Sequence, residues 1–163
     1  RLLYSVCGSD TEVAGYMAEL AGTGRYEVSD AVKAVIGKHF VGGYCSDDET
    51  KSAINKVYTE NGYLMDTHTA VAYNKLAAYR KDTGCVTPAV VVSTASPYKF
   101  CNSVLQALGQ ERDAPGTELI EKLSEVTKTA IPKPLEGLDR REKRFELVVD
   151  KPEMKATVAD FLK

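Results

Sequence analysis

No stretch of this chain approaches the about 20 consecutive apolar residues that a membrane-crossing helix needs. Its opening residues do not read as a signal peptide either. Basic charge is not in excess: the formal net charge is -2. That argues against a nucleic-acid module, which would carry a basic face. Cysteine is sparse. Cys7, Cys45, Cys85 and Cys101 form no C-x-x-C pair, and their gaps suit neither a zinc site nor a dense disulfide scaffold. Reduced thiols in a cytoplasmic protein are the simplest reading. There is no G-x-G-x-x-G, P-loop, H-E-x-x-H, nucleophile elbow or paired-carboxylate pattern. A complete catalytic constellation is therefore absent, and neither a catalytic residue nor a metal ligand is assigned.

What is present describes a globular domain. The 163 residues suit one domain with a real core, and 44% apolar with 27% charged residues is a folded rather than a disordered composition. The basic cluster Arg140, Arg141, Lys143 and Arg144 is interleaved with Asp139, Glu142 and Glu146, which reads as a solvated helix face rather than a polyanion site. The chain opens on Arg1-Leu2-Leu3-Tyr4, already amphipathic, with no initiator methionine and no cap. This reads as a helix entered partway through, and a fragment of a longer protein is expected.

Helical signals dominate. Ser9 with Glu12 and Ser46 with Glu49 are capping boxes. Helices are expected after Ser9 to Gly22 and Gly24, from Ser29 to about Ile36, from Ser46 to Asn61-Gly62, and from Asp66 to about Asp82. Others are expected through Cys101, Val104, Leu105 and Leu108 to Gly109, over 117–128, and after Asp150. The pair Pro132 and Pro134 excludes regular helix there. Strands are expected at 88–94 and 145–149, with a weaker candidate from His39 to Cys45. The residues thus point to a helix-rich α/β chain, either a small domain or the tail of a larger one.

Residues 88–100, Pro-Ala-Val-Val-Val-Ser-Thr-Ala-Ser-Pro-Tyr-Lys-Phe, are the most informative. An apolar run ends in Ser93, Thr94 and Ser96, then a proline and a helix pattern. In α/β folds ligands sit beyond the carboxyl ends of strands, and hydroxyls there have more hydrogen-bonding than packing value. Thr94 is the leading contact for a ring nitrogen or a phosphate, against its alternative as a local cap. Lys99 is an anion contact or a solvated helix residue. His68, in the first turn of a helix, can act as proton donor, proton acceptor or substrate contact, or is a capping or core histidine. His39 and the thiol of Cys101 read as structural.

Two segments together carry a resemblance. Gly62-Tyr63-Leu64-Met65-Asp66-Thr67-His68-Thr69-Ala70-Val71 is followed, after a helix, by Ser93-Thr94-Ala95-Ser96-Pro97-Tyr98-Lys99-Phe100. In this order and at this separation they resemble the threonine synthase family, most closely over about 40–105. Thr67 stands where that family usually has proline. The resemblance implies a three-layer, helix-rich fragment with few, mostly parallel strands, part of a larger fold-type-II enzyme dependent on pyridoxal 5'-phosphate. It implies that residues 1–109 belong to the cofactor-binding catalytic region and 110–163 to a helical extension with a short strand. The implied reaction converts O-phosphohomoserine and water to threonine and phosphate. Thr94 then matches the threonine that meets the cofactor's pyridine nitrogen, and His68 and Lys99 fall on motif positions near substrate. The family's Schiff-base lysine and its glycine-rich phosphate loop lie upstream and cannot be assigned here, so the chain alone is expected to be inactive. The implied partner is the missing N-terminal portion, in whose absence an exposed apolar edge at 88–94 could pair two copies.

Two rival readings stand beside this one. Another lyase of the same cofactor family, a threonine or serine dehydratase or a cysteine synthase relative, is disfavoured by the Asp66-x-His68-Thr69-Ala70-Val71 pattern. A non-enzymatic interaction domain would make Thr94 and His68 mere caps.

Overall fold

A computed structural model of the chain describes residues 1–110, 114, 116–142 and 144–163. Lys143 of the basic cluster lies outside the described residues. Among the described residues eight α-helices follow in order: α1 Leu2–Cys7, α2 Asp10–Thr23, α3 Asp30–Gly37, α4 Asp47–Asn61, α5 Thr67–Thr83, α6 Cys101–Ala107, α7 Glu118–Thr127 and α8 Met154–Phe161. The chain divides into two compact units, Arg1–Tyr44 and Cys45–Lys163.

The first unit holds α1, α2 and α3. Ser9 accepts the Glu12 backbone N–H at 3.1 Å and so caps α2. The Glu12 carboxylate does not close the box; it accepts the Tyr16 hydroxyl instead. Val32 on α3 is the unit's buried hydrophobic residue.

The second unit holds the larger core. Ser46 and Glu49 form the full reciprocal box at the start of α4, and Gly62, at φ 67°, ends that helix in a conformation a side chain would resist. α4 packs on α5 and α6, and α6 packs on α7. Ile54, Val104, Leu105 and Leu123 are fully buried at the centre. Each contributes about 1.5–3 kcal/mol by leaving water. The hydroxyl of buried Tyr98 donates to the Thr129 carbonyl at 2.8 Å. The Tyr58 hydroxyl donates to the Thr127 carbonyl at 3.3 Å. These bonds fix the chain leaving α7 against α4, through Tyr58, and against the segment before α6, through Tyr98.

The expected α/β class with few, mostly parallel strands is overturned. Among the described residues there is no strand and no sheet. Segments 88–94, 145–149 and His39 to Cys45 are all irregular. A strand exists only by pairing its backbone N–H and C=O groups with a neighbour, and these apolar runs face solvent. Val90 and Val92 are 89% and 67% exposed, and Phe145 and Val148 are 77% and 90% exposed. The residues around Arg140 form a 3₁₀ turn, Leu138–Arg140, rather than the expected helix face. Arg140, Arg141 and Arg144 are exposed, and Arg140 lies 3.3 Å from Asp139.

Candidate functional site

α5 begins at a buried carboxylate. Asp66 is 1% exposed and accepts the backbone N–H of His68 at 2.9 Å and of Thr69 at 3.3 Å through Oδ1. Its Oδ2 accepts the Thr69 hydroxyl. Burial, the largest influence, pushes the carboxyl up. The Thr69 hydroxyl, the two backbone N–H groups and the nearby His68 together outweigh it and hold the pKa below the usual aspartate value. Thr69 Oγ1 also lies 3.2 Å from Ser93 Oγ. Thr69 has one hydroxyl proton and the carboxylate takes it, so Ser93 is the donor in the second bond. The two motif segments therefore meet through side chains.

Capping of α5 leaves the His68 ring outside the core, 62% exposed. Its Nδ1 lies 3.5 Å from Asp66 Oδ1 and 3.4 Å from Thr67 Oγ1. The ring rests against Phe100, with centroids 5.1 Å apart. His68 and Phe100 line a cleft of about 490 Å³. α4 contributes Asp47, Thr50 and Lys51 to its wall, α5 adds Thr67 and Val71, and α6 adds Ser103 and Gln106. Sequence reading gave no site role to Lys51, Ser103 or Gln106, nor to Asp47 and Thr50, although these last two lie in a segment that also resembles the family; only packing brings them to His68.

The hydroxyls after the valine run divide by role. Ser93 is bound to Thr69. Ser96 accepts the Tyr98 backbone N–H at 3.3 Å and caps the 3₁₀ turn Pro97–Phe100. Thr94 is exposed, and its hydroxyl has no partner among the described residues. Neither Thr94 nor Lys99 lines the His68 cleft. Lys99 is exposed, with its ammonium 5.9 Å from the Phe100 ring centre. Thr94 and His68 are thus linked by way of Ser93 and Thr69, while Lys99 reaches His68's surroundings through Phe100. Cys101 is a buried packing thiol: Sγ donates to the Tyr98 carbonyl at 3.1 Å, and burial pushes its pKa up.

The geometry defines a helical scaffold that holds a polar cleft and a hydroxyl loop at one helix start. Comparison with known proteins identifies its family. The family model described as "Threonine synthase, C-terminal" matches residues 69–159. The mouse protein named threonine synthase-like 1 is 36% identical over 110 residues, covering 67% of this chain and 14% of its own length. A threonine synthase of Pseudomonas aeruginosa is 30% identical over 131 residues, covering 78% of this chain and 28% of its own. The crystal structure of a PLP-bound threonine synthase from Brucella melitensis is similar at 30% identity with a TM-score of 0.55, covering 80% of this chain and 27% of that one. The chain belongs to the threonine synthase C-terminal family. It spans between about a seventh and somewhat over a quarter of the length of these relatives.

Proposed function

We propose that this chain supplies one wall of a pyridoxal 5'-phosphate-dependent threonine synthase, in which O-phosphohomoserine and water give threonine and phosphate. The observation that carries the reading is the division of labour among the three hydroxyls. Ser93 and Ser96 are used within the fold, and Thr94 is exposed with its hydroxyl free among the described residues. A free hydroxyl in the family motif suits a heteroaromatic ring nitrogen, to which it can donate or from which it can accept. When bound, the cofactor supplies an electron sink for a substrate carbanion. A neutral hydroxyl at the ring nitrogen does not enforce full ring protonation as a carboxylate would, and so sets the strength of that sink.

His68 and Lys99 are the proposed substrate contacts. His68 opens on a cleft that also holds Lys51 and Ser103, groups suited to an anionic substrate. Lys99 is not the covalent anchor, because its motif position is wrong for that role. The anchor and the phosphate cradle are assigned to the N-terminal portion of the same protein, the proposed partner of this chain. Residues 1–109 would then complete the cofactor region, with 110–163 as an extension. Exposed Val86, Val90 and Val92 are the surface proposed to meet that portion or, without it, a second copy. The four cysteines are free, consistent with a cytoplasmic setting.

The test uses the full-length protein carrying this chain. Turnover of O-phosphohomoserine, with Thr94→Val lowering it about 10–100-fold as loss of one strong polar hydrogen bond would, supports the reading. Turnover of serine or threonine in its place would reassign the protein to a dehydratase. The isolated chain is expected to develop no bound-cofactor absorbance when mixed with pyridoxal 5'-phosphate.

A further inference from the structure

We propose that Asp66 and Thr69 are positioning residues for Thr94: the hydrogen-bonded series Ser93 to Thr69 to Asp66 pins the 93–96 loop to the start of α5 and sets the Thr94 hydroxyl at a fixed place relative to His68. The proposal rests on the reading of Thr94 given above, and deepens it by naming what holds that residue.

The valine run before Thr94 is irregular and exposed, so it offers the loop little packing. From its other side the loop is held by the Ser96 cap and by buried Tyr98. Between these lies Thr94, and Ser93 supplies the missing anchor immediately before it. The anchor is stiff because each link is already committed. Asp66 is buried and fixed by two backbone N–H groups of α5, and Thr69 is 3% exposed on that helix. Ser93, itself exposed, therefore bonds to a group that cannot follow it if the loop moves. The same Asp66 orients the first turn that carries His68. One carboxylate thus fixes both motif segments, which gives a physical reason for their occurring as a pair.

Backbone relaxation of residues 93–95 in this chain tests the link. Thr69→Val keeps the buried volume and deletes the hydroxyl. Ser93→Ala deletes the same bond at an exposed position, where folding is not at stake. Both should lower the order parameters of 93–95 from the about 0.85 of a rigid backbone to below about 0.6. Thr69→Ser, which restores the hydroxyl, should leave them unchanged. Unaltered order parameters in both deletion variants, or a loss in Thr69→Ser equal to that in Thr69→Val, would overturn the proposal. In the full-length protein loaded with pyridoxal 5'-phosphate, Ser93→Ala should shift the cofactor absorbance in the same direction as Thr94→Val, by less. A loosened loop together with a spectrum indifferent to Thr94→Val would overturn the cofactor reading of Thr94 instead.

Discussion

Asp66 shows how much one side chain can decide. Its carboxylate caps α5, takes the Thr69 hydroxyl and lies beside the His68 ring. Asp66→Asn keeps a capping oxygen and removes the charge that the Thr69 bond uses. It is expected to cost about 1–2 kcal/mol at about pH 7, the difference between a charged and a neutral hydrogen bond. The folded-state pKa is depressed, so the stabilisation is complete above the ordinary carboxylate value of about 4 and is lost as pH falls through the lower folded value. The gap between the urea midpoints of the two proteins should therefore hold from about pH 7 down to about pH 5 and close as pH falls below about 4; a gap that stays constant to the lowest pH would show that the charge contributes nothing. Asp66 as the head of a helix was legible in the sequence, since a cap acts within three residues. Its link to Ser93 was not. Thr69 and Ser93 are 24 residues apart, and only the packing of α5 and the loop makes them neighbours.

At the scale of elements, what reads locally was legible and what depends on a partner was not. The Ser46–Glu49 box, the Asp66 cap and the Gly62 stop lie where the residues put them, because each is settled by bonds within one helical turn. The valine run at 88–94 has strand composition, yet composition supplies only one side of a ladder, and no ladder forms among the described residues. The last helix shows the same dependence. Met154, Val158 and Phe161 of α8 are spaced as a core face but remain exposed. In α7, by contrast, Leu119, Ile120 and Leu123 are buried. Leu123→Ala should destabilise this chain by about 2–5 kcal/mol through transfer and cavity costs. Val158→Ala should change its stability by no more than about 0.5 kcal/mol, as at other unpacked surface positions. Thermal melts of the two variants compare them directly, and an equal loss would mean that α8 is packed as firmly as α7.

Over the whole molecule, stability should be unevenly distributed between the two units. Residues 45–163 bury Ile54, Val104, Leu105 and Leu123 completely, and the hydroxyls of Tyr58 and Tyr98 tie the chain after α7 to that core. Residues 1–44 bury the single hydrophobic side chain of Val32, and the Tyr16 hydroxyl, 3.2 Å from the Ser29 backbone N–H, is their clearest internal link between helices. A chain of this length stands close to the lower limit of about 40 residues below which a domain needs help to fold. Burial of one valine, worth about 1.5–3 kcal/mol, cannot offset the ordering of three helices by much. Hydrogen exchange on the intact chain should therefore find the amides of α1 to α3 opening by local unfolding, at least about 100-fold faster than those of α4, α6 and α7. The caps at Ser9 and Ser29 slow fraying at the helix starts but do not create a core. Equal protection in both units would show that they unfold as one and would overturn the division. Protection confined to 45–163 would place Asp66, Thr69 and Thr94 on the rigid part of the chain, where a positioned hydroxyl needs to be.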